Sequence, residues 1–414
     1  MSEVRILYRP HRFYFIPMVI LSIETSCDET AVSIVHASGT KQAPKFDVLA
    51  NIVLSQIKTH AEYGGVFPAV ARREHSLAIA PLIEQALVEA KIENAPTEKA
   101  KADKEKDVRE ILHRDPELAE KIIALAEKFP QPKIDMLAVT YGPGLEPALW
   151  IGLTVAQALS TLWKIPLMPI NHMEGHIVSV LYGANENRAT QPIQFPALAL
   201  LISGGHTELV LVKDWTEYEI IGETRDDAVG EAFDKVARML GLPYPGGPEI
   251  SRRAAKWRGQ TETENPFHFP RPMLNTADFD FSFSGLKTSI LYTLKKLPEK
   301  ISAENPAHQE TISQVSEEFE NAVTEVLLKK TLRAAEMHDV KSLIIAGGVA
   351  ANKFIRKSFE KAVAEKNIAL FVPENHLSTD NALMIAICAY IRKLYGKENI
   401  EKETRAVGNV RLGE

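Results

Sequence analysis

The chain has 414 residues, 45% of them hydrophobic and 25% charged, with a formal net charge of -6. That is ample for two packed domains, and it excludes a surface that is basic all over, though not a local basic cleft for nucleic acid. Two cysteines, Cys27 and Cys388, are too few for a disulfide framework or a thiolate zinc site, and no apolar run is long enough to cross a membrane.

Residues 1–17, with Arg5, Arg9 and Arg12, read as an N-terminal extension, either a targeting presequence or a stretch without function. From Met18 the run MVILSIETSCDETAVSIVHA predicts strand, polar turn, strand, and DVLANIVLSQI adds a third strand. A glycine- and charge-rich loop then leads into the helical SLAIAPLIEQALVEAKI. Residues 93–133, rich in Lys, Glu and Ala, read as a charged helical insertion with a solvated surface. IDMLAVTYGPG is a buried strand ending in a glycine turn, ALWIGLTVAQALSTLWK an apolar helix, and PLMPINH a short strand. FPALALLISGGHTELVLV repeats the theme of strand, small polar turn, strand. KSLIIAGGVAANKFIRKSFEKAVAE gives strand, glycine turn, helix, and NALMIAICAYIRKLYG a last helix. The repetition predicts two related α/β lobes with a cleft between them, 18–178 and 179–381, and a C-terminal segment 382–414 returning to the first lobe.

NHMEGHI, residues 171–177, places His172 and His176 one helical turn apart on one face, able to grip one ion. Glu174 lies about 200° round the helix from each, so it cannot play the part of the glutamate in the H-E-x-x-H protease pattern. Spacing alone leaves open two helix histidines without a metal. A third ligand has to come from elsewhere, and Asp380, in the polar turn STDNA before a helix, is a candidate. Two imidazoles and a carboxylate suit iron(II) or zinc better than magnesium.

SGGHT (203–207), PGGP (245–248) and AGGVAAN (346–352) are turns where small residues let backbone N–H groups approach a phosphate. Each is weak by itself, and none matches a Walker or dinucleotide fingerprint. Asp234, in GEAFDKVARMLGL, is placed to bond ribose hydroxyls or simply to favour a helix N-terminus. Glu24, Asp28 and Glu29 gather acids at the first hairpin, and Cys27 beside them reads as packing. FDFSFSGLKT, 279–288, reads as a strand leading into a helix, or a surface feeding the cleft.

IETSCDET, HAEYGGVFPAVARREH, GPG, HMEGH, LISGGHTELV, GEAFDKVARMLGL, YPGGP, DFSFSGLKT, AGGVAANK and STDNA follow one another from Ile23 to Ala382. Together they resemble the tRNA threonylcarbamoyladenosine transferases, the TsaD-type proteins formerly called glycoproteases. The resemblance implies the two-lobed actin-like ATPase (ASKHA) fold. It implies transfer of a threonylcarbamoyl group from threonylcarbamoyl-adenylate to N6 of the adenosine beside the anticodon, position 37, in tRNAs reading codons that begin with A, with loss of AMP. It assigns a divalent metal to His172, His176 and Asp380: iron(II) by preference, with zinc or magnesium the alternatives. Leu201, Ile202, Ser203, Gly204 and Gly205 are assigned to the adenylate phosphate, Asp234 to the ribose, Gly247 to the nucleoside, and Asn352 to the base or ribose. ATP or AMP is expected to enter the same pocket. Asp28 and Glu29 match acidic positions tied to catalysis.

Implied partners are tRNA, TsaB-like and TsaE-like subunits in a bacterial setting, and a synthase supplying the adenylate. A homodimer is the organellar alternative. The implied location is cytoplasmic, or mitochondrial in that alternative. The rival readings are a small-molecule kinase of the same fold, a metalloprotease, and a non-enzymatic scaffold in a larger complex.

Overall fold

The computed structural model describes residues 17–95, 102–183, 192–260, 264–397 and 404–413. In the first part of the chain β1 (Met18–Glu24), β2 (Glu29–Thr40) and β3 (Ala43–Ser55) precede α1 (Ile57–Ala61), α2 (Pro68–Glu89), α3 (Ala102–Ile111) and α4 (Pro116–Lys128). There follow β4 (Met136–Gly142), α5 (Glu146–Trp163), β5 (Leu167–Asn171) and α6 (His172–Val178). The second part has β6 (Ala197–Ile202), β7 (Thr207–Asp214), β8 (Glu217–Glu223), α7 (Val229–Met239), α8 (Gly246–Gln260), α9 (Ser284–Lys295) and α10 (Gln309–Met337). It ends in β9 (Ser342–Ala346), α11 (Lys353–Ala364), β10 (Ala369–Phe371), α12 (Asn375–Ser378) and α13 (Ala382–Leu394).

The two five-stranded sheets have the same order, β3-β2-β1-β4-β5 and β8-β7-β6-β9-β10. In each, the first three strands form an antiparallel meander and the last two run parallel to the first. β1 and β6 are central and covered on both faces, which explains why they read as continuous apolar runs rather than alternating ones. This repeated order is the two-lobed actin-like architecture expected from the sequence.

Three cores hold the molecule together. Leu21, Ile23 and Val139 pack with α2, α4 and α5 on the outer face of the first sheet. Leu198, Leu200 and Leu343 pack with α7 and α10 on the outer face of the second. The third lies between the sheets, where Ile20 and Val35 of one and Ala199, Val210 and Ile344 of the other enclose α6 and α13. α13 therefore packs against β1 and β2 while closing on the second sheet.

Three local expectations are corrected. α2 begins at Pro68, not Ser76, because a proline at the first helical position has its φ preset and needs no N–H partner. The segment 93–133, of which 96–101 lie outside the described residues, is not merely a solvated arm. Leu118, Ile122 and Leu125 recur at helical spacing and are buried, and Asp115 caps α4 by accepting from Leu118 N–H at 3.2 Å. Its charges face outward in pairs such as Arg109–Glu120 and Lys128–Glu84. FDFSFSG forms only a single bridge, Phe281 to Thr224, and its Phe279, Phe281 and Phe283 fill the second core. Residues 1–16 of the N-terminal extension lie outside the described residues.

Candidate functional site

β5 delivers the chain to Asn171, whose side chain caps α6 by accepting from the N–H groups of Met173 at 2.9 Å and Glu174 at 3.3 Å. That cap fixes His172 and His176 on the next turn, their ring centroids 4.7 Å apart. A second asparagine, Asn381, caps α13 through Met384 N–H at 3.0 Å and holds Asp380 just before the helix. Asp380 Oδ1 lies 3.4 Å from His172 Nε2 and 3.2 Å from His176 Nε2. One atom from each of the three residues lies within 4.8 Å of the others. A Cβ on Gly175 would come within 3.1 Å of Ile385 Cδ1, so glycine there is what lets α6 close on α13.

The donor set fits a cation. His176 is fully buried, yet neither ring nitrogen has an aligned hydrogen-bond partner, a costly state for an imidazole that is not a ligand. Burial opposes charge on His172, but Asp380 and Glu24 overcome it and hold the imidazole well above its ordinary range. Asp380 is held far below the usual carboxylate range, chiefly by His172 against the penalty of burial. The pocket thus demands positive charge. His172 Nδ1 is 3.0 Å from Glu24 Oε2, leaving Nε2 toward Asp380. Buried Glu24 also accepts from Ser26 N–H and Thr140 O–H, the carboxylate–histidine arrangement that orients a metal ligand. Glu174 points the other way, as helical geometry predicts. Its carboxylate is bonded to Arg392 Nε at 2.9 Å and Nη2 at 2.8 Å.

Asp28 and Glu29 stand at the β1–β2 turn facing Asp380. Burial, with help from Asp380 and Asp28, pushes the Glu29 carboxyl up to about 9, and burial likewise raises Asp28. The Cys27 thiol is raised well above its usual range by burial and then by Asp28, which suits packing and not nucleophilic attack.

A second hollow, of about 570 Å³, opens between α7, α8 and the start of α11. Gly204, Asp234, Gly247 and Asn352 all line it. Burial raises Asp234, which accepts from Gly246 N–H at 2.7 Å. Asn352 caps α11 with its oxygen and donates to Ser251 Oγ at 2.8 Å and Glu320 Oε1 at 2.7 Å. Leu201 and Ile202 lie behind this lining: their backbones pair in the sheet and their side chains are buried in separate cores. Ser203 folds the turn, its hydroxyl accepting from the N–H groups of Gly205 and His206. Gly205 lies in that turn without lining the hollow.

Sequence reasoning missed His206, Arg258 and Glu320. His206 was passed over inside a turn valued for its glycines, yet burial and the neighbouring His172 and His176 lower it to about 4. Glu320, fully buried beside Arg258, was hidden in an acidic run that reads as a solvated helix face. Arg258 in turn lies over Phe354 at 3.5 Å, forming one wall of the hollow.

Two similar lobes, a two-histidine, one-carboxylate cluster and a glycine-edged hollow beside it define an actin-like enzyme with a metal-type centre at its nucleotide-sized cleft. The chain belongs to the TsaD family, the tRNA N6-adenosine threonylcarbamoyltransferases, whose family model matches residues 47–98 and 112–387. The gap between the matched segments falls on α3. A transferase of that name from Staphylococcus carnosus is 42% identical over 90% of this chain and 90% of its own. One from Listeria welshimeri is 40% identical over 92% and 93%. Among solved structures, full-length HypF in a phosphate- and nucleotide-bound form is similar with a TM-score of 0.49 and 10% identity, over 92% of this chain and 47% of that one. The chain is a transferase that modifies tRNA. Among the described residues no helix is long and apolar enough to cross a membrane.

Proposed function

We propose that the chain transfers the threonylcarbamoyl group of threonylcarbamoyl-adenylate to N6 of adenosine 37, beside the anticodon, in tRNAs reading codons that begin with A, releasing AMP. One observation carries this beyond family membership. The four-residue turn Ser203–His206 puts Gly204 in the nucleotide-sized hollow and His206 against the metal-type cluster, so an adenylate in the hollow presents its acyl end to that cluster.

His172, His176 and Asp380 hold a divalent ion, iron(II) by preference, which when bound supplies Lewis-acid polarisation of the acyl carbonyl. The backbone of the 203–205 turn receives the phosphate, Asp234 the ribose hydroxyls, and the Gly247 and Asn352 wall the nucleoside. The substrate is already an activated mixed anhydride, so positioning does most of the work. As N6 attacks the carbonyl carbon and the C–N bond forms, the C–O bond to phosphate breaks and AMP leaves with its electron pair. The N6 proton passes to the Asp28 carboxylate, which Glu29, held at about 9 and so protonated near neutral pH, orients by a hydrogen bond.

A separate synthase makes the adenylate, and TsaB-like and TsaE-like subunits assist in the cytoplasm of a bacterial cell. The test is mass analysis of tRNA nucleosides after incubation with threonine, bicarbonate, ATP, the synthase and those subunits. An added threonylcarbamoyl mass on adenosine is expected, and its absence would sink the proposal.

A further inference from the structure

Beside the acidic turn, on the outer side of α5, lies a cavity of about 680 Å³ that none of the chemistry above uses. Its floor is Trp150. Arg72 of α2 and Arg114, from the turn between α3 and α4, bring their guanidinium carbons to 5.8 Å and 5.7 Å from the indole ring centroid. Arg72 also donates to the Arg114 carbonyl at 3.2 Å, tying the two segments together. Arg405, in the C-terminal segment, reaches the same cavity, held there by Val407 N–H bonding to the Tyr141 carbonyl. Arg114 and Arg405 are exposed and Arg72 is half-buried.

Among the described residues, none of these three guanidiniums pairs with a carboxylate. That contrasts with Arg109, Arg225, Arg258, Arg271 and Arg392, each of which does. Among the described residues the only carboxylate in the lining is Glu146, which accepts from Gly408 N–H at 3.3 Å. In a chain of net negative charge, two guanidiniums over one indole and a third lining the same cavity, none paired with a carboxylate among the described residues, form a local anion site. The indole keeps the guanidinium planes from collapsing onto the surface.

The location names the anion. The start of α5, which carries Trp150, is bonded to the acidic turn: Leu145 N–H donates to the Ser26 carbonyl at 2.8 Å and Thr25 O–H to the Ala148 carbonyl at 3.0 Å. On the other wall His75, one turn along α2 from Arg72, is 3.0 Å from the Cys27 carbonyl through Nε2. The patch therefore flanks the acids that face the acceptor nucleoside. We propose that Arg72, Arg114 and Arg405, framed by Trp150, bind the phosphodiester backbone of the acceptor tRNA next to the modified nucleoside. This rests on the transferase reading above and assigns part of its RNA contact. Regularly spaced phosphates and flat bases match guanidinium groups set round an aromatic ring. Arg114 comes from the segment between α3 and α4, so the insertion takes part in acceptor binding.

The test uses the full chain with its metal and partner proteins, comparing wild type with Arg72→Ala/Arg114→Ala/Arg405→Ala and with Trp150→Ala. Binding of unmodified tRNA is measured from about 50 to about 200 mM salt, beside steady-state kinetics for each substrate. For the triple variant the tRNA Kd and KM are expected to rise about tenfold or more, and the slope of log K against log salt to shrink by about 2 to 3. kcat at saturating tRNA, the KM for the adenylate and the melting temperature stay near wild type. A folded triple variant with unchanged tRNA affinity and salt slope would overturn the assignment. So would unchanged tRNA binding with loss of a partner subunit, which would make the patch a protein-docking face. The binding arm needs no turnover, so it separates failure of this site from failure of the transfer reaction, which shows as no product from wild type.

Discussion

The β1–β2 turn of the first sheet and the β6–β7 turn of the second occupy the same position in the same strand order. Both face the cluster of His172, His176 and Asp380, but they are built from different materials. The first, Thr25 to Asp28, is made of side chains: Glu24 before it grips His172, and the buried Asp28 at its end and the half-buried Glu29 after it have raised proton affinity. The second, Ser203 to His206, offers backbone: Cβ atoms on Gly204 and Gly205 would meet nothing within 4 Å, so the space above them is open to a ligand. Under the proposed function, one topological position would serve charge and proton handling in one lobe and close approach to a phosphate in the other.

The sharpest way to break this contrast is on the side-chain half. His172→Ala is expected to cut kcat/KM by about a thousandfold or more and to strip the metal, with the fold retained. Glu24→Gln keeps the shape but weakens the hold on His172. Metal affinity should fall about 10- to 100-fold, read by metal analysis after dialysis against a graded chelator. If Glu24→Gln kept full metal affinity, the first turn would have no part in organising the ligands.

The backbone half is tested by two glycines that behave oppositely. Gly204→Ala adds a methyl into open space, so stability should stay within about 0.5 kcal/mol while the KM for the adenylate rises about tenfold. Gly230→Ala drives a Cβ to 2.6 Å from the Ser203 carbonyl oxygen and 2.8 Å from Gly204 Cα, so it should cost about 1 to 3 kcal/mol of stability as well as binding. Equal melting temperatures and equal KM values for the two would erase the distinction between an open turn and its support.

The lobes, their strands and the histidine pair were legible because each is written locally, whereas Asp380, far away in the chain, was only a candidate until the fold brought it to them. β1 and β6 are apolar runs bounded by turn residues, and two histidines at helical spacing declare a shared face. Three things were not legible, each for a physical reason. Glycine and charge before Ser76 read as a loop, but Pro68 already begins the helix. The insertion's charge masked Leu118, Ile122 and Leu125, whose burial depends on finding α2 and α5 as partners. His206 and Glu320 act through residues far away in the chain, so nothing in their own neighbourhoods marks them.

The two turns also differ in how they are held, and a buried histidine outside the first turn ties its support to pH. The Ser203 turn is held by the Ser203 hydroxyl, which accepts from Gly205 and His206 N–H, and by Gly230 N–H donating to the Ser203 carbonyl at 3.1 Å. The first turn leans on His75, whose Nε2 is 3.0 Å from the Cys27 carbonyl while Nδ1 is 2.7 Å from Thr30 Oγ1. Donation from Nε2 to that carbonyl leaves Nδ1 to accept from the Thr30 hydroxyl, which requires a neutral ring. Burial lowers His75 from an ordinary 6.5 to about 4. Between those values the unfolded chain binds a proton that the folded chain does not. The contribution is therefore fully present above about pH 6.5 and is lost as pH falls toward 4, a change of up to ~3 kcal/mol. His75→Gln has no such titration, so the difference in unfolding free energy between wild type and variant should narrow or reverse across that window. A difference independent of pH from 7 to 4, measured by urea titration, would show that the first turn does not depend on a neutral imidazole.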